Sequence, residues 1–161
     1  MTLGEYNKSV DDYADRLFRF VVRSINNTEE ARDLVQETFA RLWLKVDNVS
    51  GDKVKAYLFS TAYHLMIDMI RKEKRHLDYR NNMQESPVHH DNYSDLSEIL
   101  HEAINKLPDI QRSVILLRDY EGYAYNEIAE LTGLNESQVK VYIFRGRMYL
   151  KKYLGKIEAI L

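Results

Sequence analysis

Residues 127–147 read EIAELTGLNESQVKVYIFRGR. Ile128, Ala129 and Leu131 give a short amphipathic helix, 125–132, that stops at Thr132-Gly133. Gly133 sits where a sharp helix exit needs a left-handed residue. Asn135 is placed to cap a longer helix over 136–153, whose inner face carries Val139 and Ile143. Two helices joined this way form a helix-turn-helix, with Ala129 small enough for a close crossing and Leu134 filling the corner. The outer face of the second helix is then Glu136, Ser137, Lys140, Val141, Tyr142 and Arg145, followed by Arg147. Presented to a major groove, such a face meets base edges and phosphates. The bland alternative is a helical hairpin with a solvated basic side.

Working outward, Leu107-Pro108-Asp109 ends one helix (95–106) and opens another (109–119), since proline suits a first turn and not an interior. Upstream of 95 the periodicity is lost. Residues 78–94 (DYRNNMQESPVHHDNYS) have turn and linker composition, and read as a flexible tether between two units. Before the tether, apolar residues at helical steps predict three more helices. The first covers 9–26 (Val10, Tyr13, Leu17, Val21, Ile25). The second starts near Thr28 behind an Asn27/Glu30 capping box and buries Ala31, Leu34, Val35, Thr38, Phe39, Leu42, Trp43 and Val46. The third runs from about Lys53 to Arg75 on Leu58, Ala62, Leu65 and Met69. The whole is all-α: two small helical domains and a linker.

The 161 residues are 45% apolar and 30% charged, ordinary for a globular chain. No run approaches the roughly 18 apolar residues of a membrane span, and the first residues lack the basic start and apolar core of a secretory signal. With no cysteine at all, disulfide scaffolds, thiolate-zinc sites and cysteine nucleophiles are excluded, and a cytoplasmic home is expected. The net charge of −2 conceals an asymmetry. Residues 71–80 and 138–156 are basic, whereas 81–105 hold five acids and no Lys or Arg. Two basic segments flanking an acidic one suit two contacts with a polyanion.

Two further faces carry chemistry or none. Along the third helix, Tyr57, Thr61, His64, Asp68, Arg71 and Arg75 form a polar stripe beside Lys72 and Lys74. Aromatic rings with a basic tail suit unpaired DNA, though an aromatic stripe equally serves a core. On the second helix, Asp33, Gln36, Glu37 and Arg41 form a polar row that either pairs with itself on a wet surface or docks a protein. His89 and His90 are neighbours in the tether and do not converge, so no metal site is expected. A Gly-rich phosphate loop, a zinc-helix motif and a nucleophile elbow are all missing, so neither an enzyme nor a cofactor is expected.

In this order and spacing the motifs resemble the bacterial sigma-70 family, and are most similar to its short extracytoplasmic-function (ECF) group, which keeps sigma domains 2 and 4. The likeness rests on Asp33-Leu-Val-Gln36-Glu37-Thr-Phe39-Ala-Arg41-Leu-Trp43, on Ala56-Tyr57-Leu58-Phe59 through Ile67-Asp68 and Arg71-Lys72, and on Leu107-Pro108 through Arg112, Glu121-Gly122, Glu127-Ile128-Ala129, Gly133, Val139-Lys140 and Arg145-Gly146-Arg147. The resemblance implies region 2 over 1–77, a linker over 78–94 and region 4 over 95–161. It implies that Asp33, Gln36, Glu37 and Arg41 bind the β′ clamp helices of core RNA polymerase, with the β flap as a second contact. The loop 47–54 would capture a flipped base of the −10 promoter element, with Asn48, Lys55, Tyr57, His64, Asp68, Arg71, Lys72 and Arg75 on that DNA. Glu136, Ser137, Lys140, Val141, Tyr142, Arg145 and Arg147 would read the −35 element. It further implies promotion of DNA melting and an anti-sigma protein as partner.

Two positions depart from the family. His64 stands where asparagine is frequent, and Val141-Tyr142 where Ser-Arg is frequent. Tyr142 suits a thymine methyl or a phosphate rather than a guanine fork. The acidic stretch 81–105 is expected to fold against the basic faces and weaken DNA binding by the lone protein. The rival readings are a stand-alone helix-turn-helix regulator, which normally dimerises on paired half-sites, and a helical adaptor for acidic proteins.

Overall fold

The computed structural model describes residues 1–80 and 96–160. Among the described residues, seven α-helices carry the fold: α1 Leu3–Ile25, α2 Thr28–Leu44, α3 Val54–Arg80, α4 Leu96–Asn105, α5 Asp109–Ile115, α6 Tyr125–Thr132 and α7 Glu136–Ile160. A 3₁₀ turn, Gly51–Lys53, leads into α3, and a π turn, Leu116–Tyr120, follows α5. No strand occurs among the described residues, in keeping with the expected all-α class.

α1 starts six residues ahead of the expected residue 9. Thr2 Oγ1 accepts from the Glu5 amide (3.1 Å), while the Glu5 carboxylate accepts from the Thr2 amide (3.3 Å). This capping box begins α1 at Leu3, ahead of its apolar stripe. α1 ends at Asn26, in the left-handed region at φ 54°, and Asn27 at once caps α2 through its side chain. Only half of the expected box forms there. Asn27 accepts from the Glu30 amide at 3.0 Å, but the Glu30 carboxyl turns to Glu73 on α3. Trp43, expected inside, is 47% exposed and meets the Tyr6 ring edge-on at 5.1 Å. It lies one residue past Leu42, and the helical turn carries it off the buried face.

α1, α2 and α3 close on Leu17, Phe20, Leu34, Leu42, Leu58, Phe59 and Met66. α4–α7 close on Ile104, Val114, Leu117, Ile128, Val139 and Ile143. The α4–α5 corner is tied by Arg112, whose guanidinium donates to the Asn105 and Leu107 carbonyls (both 3.2 Å) and pairs with Asp109. α3 passes the expected boundary at 77 and runs to Arg80; the rest of the tether, and the histidines at 89 and 90, lie outside the described residues.

The two halves are not held apart. Their buried residues form one continuous hydrophobic cluster, with α6 laid on α3 and the π turn on α1. Phe59 bridges them, 5.5 Å from the Phe20 ring and 5.8 Å from Tyr123.

Candidate nucleic-acid interface

The α6–α7 turn is built as the sequence predicts. Gly133 takes φ 80°, and its amide donates to the Ala129 carbonyl at 2.9 Å. Asn135 and Gln138 cap α7 reciprocally: Asn135 Oδ1 accepts from the Gln138 amide (2.7 Å), and Gln138 Oε1 accepts from the Asn135 amide (3.0 Å). Val139 and Ile143 are buried. A second close approach, between α7 and α5, lies at Gly146. A Cβ at 146 would stand 2.2 Å from Ile115 Cδ1, so only glycine lets α7 lie this close on α5 without displacing that side chain.

Glu136, Ser137, Lys140, Val141 and Arg145 are exposed along α7. Lys140 pairs with Glu136 at 3.5 Å and hovers 5.8 Å above the Tyr125 ring. Arg147 is committed elsewhere. It forks onto Asp119 of the π turn (2.6 and 3.3 Å), and these bonds raise its already high pKa. Tyr142 is half-buried and turned inward, lining a hollow with Ile67, Ile70, Arg71 and Lys74 of α3.

On α3, His64, Asp68, Arg71, Lys72 and Arg75 are exposed in register, as the stripe requires. Asp68, Arg71, Lys72, Lys74 and Arg75 line one basic hollow. His64 meets the edge of Tyr63 at 5.2 Å, and burial pushes the Tyr63 phenol upward. Tyr57 is half-buried; Lys55 lies 4.7 Å above the Tyr123 ring. Asn48 is exposed in the loop before the 3₁₀ turn, where a Ser50 hydrogen bond lowers the Asp52 carboxyl's pKa. The α2 row Asp33, Gln36, Glu37 and Arg41 is fully outside the core, with a Glu37–Arg41 pair at 3.1 Å. Arg41, Leu44 and Lys45 share a hollow with Tyr57, Thr61 and His64, so the α2 row runs directly into the α3 stripe.

Sequence reading missed three features. Leu44, 82% exposed, extends the α2 row by one helical step. Ser60 donates to the Leu131 carbonyl at 2.9 Å, and Glu127 and Glu130 of α6 line a groove with Asn48, Lys53 and Tyr57. The steps Glu37, Arg41 and Leu44 could have pointed to the first. The others depend on how the halves pack, which no local pattern encodes.

Family models agree with this architecture. Residues 10–76 match Sigma-70 region 2 and residues 97–150 match Sigma-70 region 4. The chain is 32% identical over 161 residues to the ECF RNA polymerase sigma factor SigW of Bacillus subtilis, covering 90% of this chain and 86% of that one. It is 33% identical to SigE of Mycolicibacterium smegmatis over 96% of its own length, and spans 63% of that longer relative. In fold it is similar to the sigma factor RpoE of Bartonella quintana, solved in complex with the anti-sigma factor NepR (TM-score 0.80, 24% identity, 95% of this chain and 98% of that one). The chain therefore belongs to the sigma-70 family. Within it, the chain is an ECF RNA polymerase sigma factor.

Proposed function

We propose that this sigma factor docks on the β′ clamp helices of core RNA polymerase through Asp33, Gln36, Glu37 and Arg41, with a second contact from region 4 to the β flap. The carrying observation is continuity. The exposed α2 row meets the α3 stripe in the hollow shared by Arg41, Tyr57, Thr61 and His64, so a docked polymerase sets α3 against the −10 DNA. Asn48 and Lys55 flank a flipped base, while Tyr57, His64 and Asp68 follow the melted strand and Arg71, Lys72 and Arg75 its phosphates. Contacts to flipped bases offset an unpairing cost of a few kcal/mol per base, by the usual base-flipping estimate. Glu136, Ser137, Lys140, Val141, Tyr142 and Arg145 read the −35 element in the major groove, with Arg147 at the rim. The protein performs no reaction of its own. An anti-sigma protein covers both halves when initiation is off, a reading supported by the fold likeness to RpoE solved with NepR.

The test is transcription from a genomic fragment library by sigma-free core polymerase plus the purified chain, with RNA starts sequenced. Discrete starts sharing two upstream elements are expected. Glu37→Lys reverses a docking charge and should weaken core binding at least about tenfold. No core binding by the unaltered chain in size exclusion refutes the reading and leaves a stand-alone DNA-binding regulator.

A further inference from the structure

The side of α7 left outside the core is apolar along its middle. Helical steps of four, three and four put Ser137, Val141, Phe144 and Met148 on one line, opposite the buried Val139, Ile143 and Gly146. Val141 is 44% exposed, Phe144 66% and Met148 45%. Phe144 falls outside the expected reading residues, yet it is the most exposed of the three. Scattered singly, such side chains are ordinary on a surface; in one line they form a strip ready for apolar contact.

Cations flank this strip on both sides. Lys140 and Lys151 lie along one edge, Arg145 and Lys152 along the other, all four exposed, and residues 138–156 contain no acid. The major groove of B-DNA has the matching cross-section. Phosphates line both walls, and its floor carries base edges among which the C5-methyl of thymine is the apolar group. Continuity favours DNA over an apolar, acidic protein as the occupant. The strip begins at Ser137 beside Lys140, inside the reading face, so whatever receives that face meets Val141 and Phe144 next. Tyr142, whose chemistry also suits thymine, is off the line and half-buried.

We propose that Val141 and Phe144 read thymine: their side chains rest on C5-methyl groups in the floor of the −35 major groove, and the −35 element holds A·T pairs where they reach. The proposal rests on the reading of α7 as the −35 helix. Three residues advance a helix by about 4.5 Å, close to the roughly 3.4 Å between base pairs, so the two side chains address neighbouring pairs. Met148 lies about 10 Å beyond Val141, nearly the groove's width of about 12 Å, and stands at the rim. Apolar contact has no hydrogen bond to lose, so the selection turns on the methyl itself. Lys140 and Arg145 hold the helix to the two walls while the strip tests the floor.

The experiment uses holoenzyme made from the full chain and core polymerase, on a promoter recovered from the genomic library. Each thymine of its −35 element, on either strand, is replaced singly by deoxyuridine, which keeps the base pair and deletes only the methyl. Affinity is read by fluorescence on labelled promoter at fixed salt. A loss of about fourfold is expected at one or two neighbouring thymines, the size of one buried methyl, with no change at the others. Val141→Ala should remove the uracil penalty at one of these positions and Phe144→Ala at the other, whereas Phe144→Leu, still apolar, should keep it. Both side chains are exposed, and circular dichroism with core binding by size exclusion confirms that the variants fold. A −35 element without A·T pairs overturns the proposal, as does one in which no deoxyuridine is felt. A penalty that survives in both alanine variants also overturns it, because the methyl then acts through the shape of the DNA. Equal weakening of thymine and uracil promoters in Phe144→Ala does the same, by placing the ring on the backbone or on a protein. Starts from the unaltered chain without any methyl effect remove this proposal alone; a chain that yields no promoter with core polymerase takes the −35 reading down with it.

Discussion

At Gly133 the main chain sits at φ 80°, a conformation that L side chains rarely adopt. Gly133→Ala should cost about 1–2 kcal/mol. In a chain of this size, that lowers the calorimetric melting temperature by roughly 2–8 °C. Gly146 and Gly155 lie in the same helix and should respond in opposite directions. Gly155 meets nothing within 4 Å, so Gly155→Ala gains about 0.5–1 kcal/mol of helix propensity. Gly146→Ala gains the same propensity but drives its Cβ into Ile115, which is 1% exposed and boxed in by the core. Overpacking of about 1–3 kcal/mol outweighs the gain. Thermal denaturation of the pair checks this: equal shifts would mean that Ile115 repacks freely.

Asp109 joins elements, because its carboxylate meets both Lys74 of α3 and Arg112 of α5. Burial alone pushes this carboxyl upward, but the hydrogen bonds and charges of Lys74 and Arg112 outweigh it and hold it below the ordinary range. A lowered native pKa means stability that is fully present above the unfolded value of about 3.9 and is lost as pH falls through the native value. Asp109→Asn should therefore destabilise the protein at pH 7, and the gap from the unaltered chain should close in acid. Urea titrations at pH 7 and near pH 3 measure it; a gap constant with pH would exclude the carboxylate as the source. At the head of α7, Asn135→Ala removes one half of the reciprocal cap and should cost about 1 kcal/mol. Hydrogen exchange should then quicken first at the Glu136–Gln138 amides.

Across the whole molecule, Tyr123 tests how well the packing between the two halves is satisfied. Burial and the nearby Glu121 push its phenol far above the usual range, so it stays protonated, yet its hydroxyl has no partner. Tyr123→Phe keeps the ring against Phe59 and removes the unsatisfied group, worth about 1–3 kcal/mol. The variant should melt higher in calorimetry. An unchanged or lower melting point would mean that the hydroxyl costs the folded protein nothing.

Sequence alone determined whatever depends on neighbours along the chain. The Gly133 turn, the Asn135 cap, the Leu107-Pro108 corner and the α3 polar stripe all follow from residues a few positions apart, and the ordered motifs carried the family with them. The Thr2–Glu5 box is equally local, and it starts α1 ahead of the apolar stripe. Tertiary structure decided what depends on residues that meet from far along the chain: Arg16 with Glu121, Ser60 with Leu131, Lys74 with Asp109 and Ile115 with Gly146. None of these pairs has a periodic signature, because each partner's surroundings are set by its own helix. Tyr142 and Arg147 show the consequence. Both fall on the outer arc of α7 by helical spacing, but one is turned against α3 and the other is claimed by Asp119. A helix's pattern says which side faces its own domain, whereas the packing of the two domains decides which part of the other side is left for DNA.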